Sequence, residues 1–386
     1  MSTLKVDLIS GFTTDLVTID GRVAEGFGTS ASGIVSHAEG YQTIASGNFG
    51  SHAEGINSIA QGESSHAEGS GTSSFGLNSH SEGFSTIAVG DYSHAEGYQT
   101  KSNGLYSHSE GGNTRANGTA SHAEGRLTTA SGNASHAEGS GTTASSTASH
   151  AEGTQTTSSG ANSHAEGRLT KATGGNSHAE GLQSTSAGIS SHAEGAGTYA
   201  LGSNSHAEGQ YTNAYGDSSH AEGYATTANA NYSHAEGYYT LATGFYSHTE
   251  GQGTTASFDS AHAEGIVTVS SGQASHAEGI ETTATGAAAH TEGYLTTASG
   301  NGSHAGGEST LASGVVSFIH SVNSTVSGAR SVVLGGQNIT GSDADTVYVP
   351  KLEVAETNQG IVMKSPDGTR YKVTVANGGT ISITLA

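Results

Sequence analysis

Small and polar residues recur along most of this chain with a fourteen-residue period. The motif Ser-His-Ala-Glu-Gly is first complete at residues 36–40. Its histidine returns after one fifteen-residue step from His37 to His52, and then at a constant fourteen-residue step as far as His304. Of the 21 histidines, His320 alone lies off this register. A period held over so many steps predicts one small structural unit stacked many times, as in a solenoid.

Each repeat unit divides into two similar halves, S-H-A-E-G-x-x and T-x-A-x-G-x-x. Five residues of period-two alternation followed by two loop residues predict a strand, a turn, a second strand and a second turn. The first, third and fifth residues of both strands are small, so we expect all of them to face a narrow interior. The second and fourth residues then point outward.

Composition agrees with a thin solenoid. Apolar residues make up 32% of the 386-residue chain and Gly accounts for 59 residues, which leaves no material for a large globular core. A strict period with fixed positions is not typical of disordered chains. We predict an all-β parallel solenoid of about 23 coils. The expected organisation is a β segment at residues 1–21, the coils at 22–345, and a terminal cap at 346–386 with strands at 346–349, 352–354, 361–364, 370–375 and 380–385.

The two outward faces differ in what they accept. The second strand varies freely, for example Ile44, Lys101 and Tyr199, which is typical of a solvent-facing surface. In the first strand the outward pair is His and Glu in nineteen coils.

Where the first-strand pair is absent, apolar residues take its register. The replacements are Val23, Phe318, Val332 and Leu334. A face that accepts either His and Glu or large apolar side chains is expected to be covered, and a second copy of the chain is the simplest cover. The predicted interface residues are Val23, His66, Glu68, His164, Glu166, His304, Phe318, Val332 and Leu334.

The strands S-x-A-x-G and T-x-A-x-G, together with Ser-Val-Val-Leu-Gly at 331–335, resemble the head repeats of trimeric autotransporter adhesins of the YadA type. This resemblance covers roughly residues 22–345. It implies a left-handed parallel β-roll that forms a homotrimer, with each His and Glu pair on the threefold axis.

Both ends of the chain are similar to structural and tail-fibre proteins of phages. The segments concerned are residues 1–7 and 360–371. Residues 1–10 contain one Lys and no continuous apolar run, so we expect no secretory signal there, and no 18-residue apolar stretch predicts a membrane span. The context implied is a virion, with an attachment protein as partner at one end of the fibre.

Charge excludes one class of partner. The formal net charge is −22, and 19 of the 34 acidic residues are motif glutamates, so the remainder of the chain is nearly neutral. No basic run supports nucleic-acid binding. The Ser and His of the motif are adjacent on a strand and point to opposite faces, which excludes a hydrolase triad; we expect no enzyme and no cofactor.

Metal binding competes with a simpler interpretation of the motif. Imidazole and carboxylate suit Zn or Ni, so axial ions are one hypothesis. The favoured interpretation is a polar ladder in which each His donates to a Glu of a neighbouring chain or coil and sets the register of the assembly. This interpretation predicts raised histidine and lowered glutamate pKa values. The candidate ligands are His37, Glu39, His52, Glu54, His122, Glu124, His206, Glu208, His276 and Glu278.

Eight of the 15 tyrosines fall in the segment from Tyr199 to Tyr246. A row of exposed rings could stack on sugars of a cell-surface glycan, although ordinary exposed tyrosines on a β surface are the simpler interpretation. Outward threonines such as Thr283 also suggest ice binding, but Lys171, Tyr215 and Leu241 interrupt the row. The candidate glycan contacts are Tyr199, Tyr211, Tyr215, Tyr224, Tyr238 and Tyr239.

The sequence therefore favours a homotrimeric structural fibre of a phage or phage-like virion with a role in host attachment. The alternative is a bacterial surface adhesin or binding module of the YadA head type. A virion or extracellular location and a glycan or protein receptor follow from either interpretation.

Overall fold

The computed structural model describes residues 17–19, 21–354, 359–375 and 379–386. The chain divides into two compact units, residues 1–277 and 278–386. All described regular structure is β, and the predicted parallel solenoid of about 23 coils is confirmed.

Each coil of the first unit contributes one strand to each of two parallel sheets. The strands of the first sheet are Val17–Ile19, which pairs antiparallel with its neighbour, and then Arg22–Phe27, His37–Tyr41, His52–Ile56, His66–Ser70, His80–Phe84, His94–Tyr98, His108–Ser109, His122–Ala123, His136–Ala137, His150–Ala151, His164–Ala165, His178–Ala179, His192–Ala196, His206–Gln210, His220–Tyr224, His234–Tyr238, His248–Gln252, His262–Ile266 and His276–Ala277. The strands of the second sheet are Ser30–Ala31, Ile44–Ala45, Ile59–Ala60, Ser73–Ser74, Ile87–Ala88, Lys101–Ser102, Arg115–Ala116, Thr129–Ala130, Thr143–Ala144, Thr157–Ser158, Lys171–Ala172, Thr185–Ser186, Tyr199–Ala200, Asn213–Ala214, Thr227–Ala228, Leu241–Ala242, Thr255–Ala256 and Val269–Ser270.

The second unit continues the same coil design and ends in a separate sheet. Its coil strands are Thr283–Ala284, His290–Thr291, Thr297–Ala298, His304–Glu308, Leu311–Ala312, Phe318–Val322, Thr325–Val326, Val332–Gln337, Thr340–Gly341 and Val347–Tyr348. The terminal antiparallel sheet consists of Ile361–Lys364, Arg370–Val375 and Ile381–Leu385.

Register places identical motif positions beside one another. His37 pairs with His52, and Val23 pairs with His37, so Val23 occupies the histidine position as predicted. In the second unit, Phe318 pairs with His304 and with Val332. Leu334 pairs with His320, which itself stands beside Gly306, so both lie in the glutamate row.

The interior is built from Ala, Ser and Thr. The alanines at the third position of both strands, such as Ala123 and Ala130, have no solvent exposure. The motif serine is also buried, and its hydroxyl donates to the carbonyl three residues earlier, as from Ser121 to Gly118 at 2.7 Å. That bond satisfies a buried polar group and closes the turn before the strand begins.

The first-strand glycine departs from its predicted inward position. Gly40 is exposed and has a φ of +112°, and a Cβ at this position would lie 2.2 Å from the carbonyl oxygen of Gly55. The chain turns away from the interior at this residue, and only glycine tolerates both the conformation and the close neighbour. The second-strand glycine, for example Gly47, is buried as predicted.

Residues 352–354 form no strand, which corrects the expectation of a second strand after Pro350. The last parallel pairing of the coils reaches Tyr348, beyond the expected boundary at 345. Of the expected β segment at residues 1–21, residues 1–16 and 20 lie outside the described residues.

Candidate functional site

The motif histidines form a continuous stack on the first sheet of the first unit. Ring centroids of successive histidines are 4.7 Å apart from His37 to His52 and 4.6 Å apart from His262 to His276, with the planes within 2° of parallel in both pairs. Such stacking follows from parallel in-register strands, which repeat every ~4.8 Å. The stack and the glutamates beside it are called the His–Glu ladder below.

Each ladder histidine approaches a glutamate without reaching hydrogen-bond distance in most coils. Nε2 of His37 lies 3.5 Å from Glu39 Oε2, and Nε2 of His94 lies 3.8 Å from Glu96 Oε2. A charge-assisted N–H···O bond would measure about 2.7–2.9 Å. Side chains of these pairs remain about one third exposed, for instance 36% for His94 and 30% for Glu96. The ladder is thus a polar face that one chain covers only partly.

The residues predicted as metal ligands lie in this ladder. Within their own coils, the Nε2 to Oε2 distances are 3.5 Å for His37 and Glu39, 3.7 Å for His52 and Glu54, 3.7 Å for His122 and Glu124, and 3.5 Å for His206 and Glu208. His276 lies at the end of the first unit. In the second unit, the Glu278 carboxylate lies 3.3 Å from His290 Nε2.

The predicted interface residues occupy the same two rows. His66 and Glu68 are 3.7 Å apart, and His164 and Glu166 are 3.9 Å apart. Val23, His304, Phe318 and Val332 take the histidine row and are half-buried, whereas Leu334 takes the glutamate row and is 43% exposed. The Phe318 ring stacks on His304 with centroids 4.6 Å apart, so the apolar residues continue the histidine row within the second unit.

The expectation of raised histidine pKa values is wrong for the single chain. Burial lowers the pKa of His94, and the neighbouring His80 and His108 lower it further because stacked imidazolium rings repel one another. The same causes, burial first, lower the pKa of His122 and His164. The glutamates contribute in the opposite direction but do not overcome burial.

From Glu54 to Glu124 the glutamate pKa values are lowered and raised in alternation, a pattern that the sequence did not predict. A hydrogen bond with Glu110, then burial and a bond with Glu82, raise the pKa of Glu96 to about 7. Hydrogen bonds from Glu96 and Glu68 lower the pKa of Glu82. In this segment the expected lowering of the pKa therefore holds for Glu54, Glu82 and Glu110 only, because adjacent carboxyls at strand spacing share protons. The feature of the sequence that could have predicted this alternation is the parallel register, because it places identical glutamates side by side on neighbouring strands.

Neutral amides in place of the protonated glutamates test this alternation. At pH 8, Glu68→Gln/Glu96→Gln/Glu124→Gln should stabilise the metal-free protein by roughly 0.2–1 kcal/mol per site, since like charges on neighbouring strands destabilise a sheet. The raised pKa of about 7 of these groups means that folded-state protons are lost as pH rises through 7, so wild-type stability declines there and the variant's advantage should vanish near pH 5. Urea unfolding at both pH values measures the difference.

The control is Glu63→Gln, since Glu63 is exposed on a turn away from the ladder. This change should have no pH-dependent effect. A triple variant that is equally destabilised at pH 5 and pH 8 would show that the three carboxyls are not protonated in alternation.

The tyrosines do not form one strip. Tyr211, Tyr224, Tyr238 and Tyr239 meet at the turn after the first strand, where the rings of Tyr224 and Tyr238 stack at 5.1 Å and those of Tyr238 and Tyr239 meet edge-on at 4.5 Å. These four residues are called the tyrosine cluster below.

The other tyrosines lie elsewhere on the coil. Tyr199 begins its second strand and Tyr215 follows the second strand of its coil, so both belong to the second sheet's outward face. Tyr232 and Tyr246 stack on each other at 5.0 Å at the turn before the motif serine. Tyrosines that are close in the sequence are therefore not all close in space. They occupy four different positions of the coil, and these positions face different directions.

Comparison with known families agrees with this geometry. The model of the YadA head domain repeat matches the chain twice, at residues 53–79 and 193–219. A search of curated proteins found no match to this chain. Within the described residues, no helix is long and apolar enough to cross a membrane. Such repeats on a β-solenoid are typical of structural, surface-exposed adhesins and not of enzymes. The chain is therefore a parallel β-solenoid in which two segments match the head repeat of the YadA type.

Proposed function

We propose that this chain is the repetitive part of a non-enzymatic homotrimeric fibre that holds an attachment element away from a surface. The observation that carries the proposal is the His–Glu ladder. The ladder is an uninterrupted face of the first unit, and its side chains are about one third exposed in a single chain. At its start Val23 takes the position of a histidine. In the second unit the same register accepts Phe318 and Val332.

In the proposed trimer, two further copies of the chain cover the ladder that a single chain leaves partly exposed. Three chains related by a threefold axis would cover one another's ladders, and each histidine Nε2 that lies beyond hydrogen-bond distance of its own glutamate would find a carboxylate on a neighbour. A displacement of less than one coil would separate each histidine from its carboxylate partner, so the ladder holds the chains in register against it. A displacement by a whole coil would still pair identical ladder residues, and the apolar positions oppose it, at Val23 in the first unit and at Phe318 and Val332 in the second.

The proposed setting is a phage or phage-like virion fibre, with the tail-fibre similarity of residues 1–7 and 360–371 as its support. A bacterial surface adhesin has the matched head repeat as its support. The two settings share the same trimeric solenoid. Labelling the chain with antibody in purified virions and on whole cells, viewed by electron microscopy, distinguishes them.

The experiment for the assembly itself is a mass measurement on the full chain. Light scattering should give three times the 38.4 kDa of one chain, and a monomer at micromolar concentration would overturn the proposal. Replacing four ladder pairs by Val and Ile, at His122, Glu124, His136, Glu138, His150, Glu152, His164 and Glu166, should keep the trimer but loosen its alignment. Cysteine cross-linking at matched coil positions reads the alignment, and an unchanged single register in this variant would refute the registering role of the ladder.

The tyrosine cluster is the surface that we assign to receptor contact. Its four rings are grouped, and Tyr211 and Tyr239 are 55% and 54% exposed, which offers flat apolar faces for sugar stacking. Glycan-array binding should fall at least tenfold in Tyr224→Ser/Tyr238→Ser/Tyr239→Ser. Binding that survives these changes, or that falls equally in the distant Tyr92→Ser/Tyr106→Ser control, would reject the assignment.

A further inference from the structure

Histidine nitrogen and glutamate oxygen alternate along the His–Glu ladder at separations typical of metal ligands. From His37 to His94 the Nε2 to Oε2 distance within a coil is 3.5–3.8 Å. Two ligand atoms on one tetrahedral ion, with bonds of about 2.0–2.2 Å, lie roughly 3.3–3.5 Å apart. The ladder spacing is too long for good hydrogen bonds and needs only a small contraction to share an ion.

Several glutamates bridge two successive histidines. Glu96 presents Oε2 at 3.8 Å from His94 and Oε1 at 3.7 Å from His108. Glu166 does the same, with Oε2 at 3.9 Å from His164 and Oε1 at 3.7 Å from His178. Each such His–Glu–His group brings three donor atoms within 4.8 Å of one another, in five consecutive groups from His37 to His108 and in ten more.

The histidine Nε2 atoms of the five groups from His37 to His108 have no competing hydrogen bond. Nε2 of His37, His52, His66, His80, His94 and His108 is shielded from solvent and makes none. Two parallel rings must tilt to direct both lone pairs at one ion. The pair His290 and His304 shows that the coil permits such a turn, since their planes stand at 80° while His304 Nε2 keeps a 3.3 Å contact to Glu292.

We propose that the His–Glu ladder binds a row of divalent transition-metal ions, each held by two successive histidines and the carboxylate between them. Imidazole with carboxylate selects ions such as Zn²⁺, Co²⁺, Ni²⁺ and Cu²⁺ over Mg²⁺ and Ca²⁺. Neighbouring groups share a histidine, so ions fill alternate groups, and the six histidines from His37 to His108 hold three ions. Water or a second chain completes each coordination shell. The ladder is also the proposed interface, but this inference requires only one chain.

The test is a titration of the untagged, chelator-treated full chain with Co²⁺, followed by visible absorption and by elemental analysis after dialysis. Ligand-field bands should grow until about one ion is bound for every two ladder histidines, and a hundredfold excess of Mg²⁺ should not displace them. His66→Val/His80→Val/His94→Val/His108→Val should bind two fewer ions per chain. Valine already occupies this row at Val23 and Val332.

The matched control carries four valines on the other sheet of the same coils, as Ser73→Val/Ile87→Val/Lys101→Val/Arg115→Val, and should bind the full number of ions. If the histidine variant fails to fold by circular dichroism, Glu68→Gln/Glu82→Gln/Glu96→Gln removes the three carboxylates between His66 and His108 and should also lose two ions. Unchanged stoichiometry in these variants, equal loss in the control, or displacement by Mg²⁺ would overturn the proposal. Light scattering on the same samples separates the outcomes: a trimer without ions refutes only the metal row, and a monomer with ions refutes only the trimer.

Discussion

Gly111→Ala should destabilise the coils around it by about 3 kcal/mol or more, whereas Gly112→Ala next to it should change stability by less than about 0.5 kcal/mol. Gly111 has a φ of +98°, and a Cβ there would lie 2.2 Å from the carbonyl oxygen of Gly125. The obstacle is backbone, so no side-chain rotation relieves it. Gly112 has an ordinary φ and open space around its missing Cβ.

The second-strand glycine shows that a close backbone neighbour alone does not require glycine, and that a positive φ is needed as well. Its Cβ would also approach the next coil closely, at 1.8 Å for Gly132 against Ser146 O. Yet the same position holds Ser146, Ala230 and Phe258 elsewhere in the chain, because its φ is not positive and the backbone can adjust. The first-strand glycine, by contrast, is retained from Gly26 to Gly307.

Urea unfolding of both variants measures the difference, and hydrogen exchange shows whether the loss is confined to the coils beside residue 111. Similar stability of the two variants would mean that the positive φ and the close carbonyl do not determine the choice of glycine.

Ala137→Leu should be the second damaging change, by about 3 kcal/mol, because it adds three carbons to a filled interior. Ala137 has no solvent exposure and packs in a cluster with Ala123, Ala130, Ala144 and Ala151. The two strands of a coil have no room to separate locally while their neighbours remain bonded above and below.

The matched control is Ala161→Leu, since Ala161 is exposed on a turn and Leu105 and Ile189 occupy the same coil position. This variant should stay within about 0.5 kcal/mol of wild type. Thermal unfolding by circular dichroism compares the two. An Ala137→Leu protein as stable as the control would show that the interior is not close-packed.

Much of the fold could be predicted because one coil repeats. The step between motif histidines fixed which residues pair, and tracing that register to Val23 and Phe318 located the row that the structure places beside the histidines. Alternation of Ser36 and Ala38 with His37 and Glu39 likewise separated interior from exterior. These features could be predicted because they depend only on the alternation of side chains along a strand and on the number of residues in one repeat.

Other features depend on distances between coils, and the sequence pattern carries no distances. Gly40 reads as an interior residue until its φ and its approach to Gly55 are known. Alternating pKa values in Glu82 and Glu96 arise only once identical carboxyls stand at strand spacing. The residues 352–354 read as a strand by composition but have no partner strand in the structure.

Each ladder residue pairs with the equivalent residue of the next coil, so the array can lose or gain a whole repeat without changing its contacts. In the first unit, His122 meets His136 as His136 meets His150, with centroids 4.8 Å apart in both pairs. Removing or duplicating one whole repeat between equivalent positions therefore recreates the same junction that it interrupts. Copy number in this array can drift through unequal recombination at little energetic cost, whereas point changes at its first-strand glycines carry a large energetic cost.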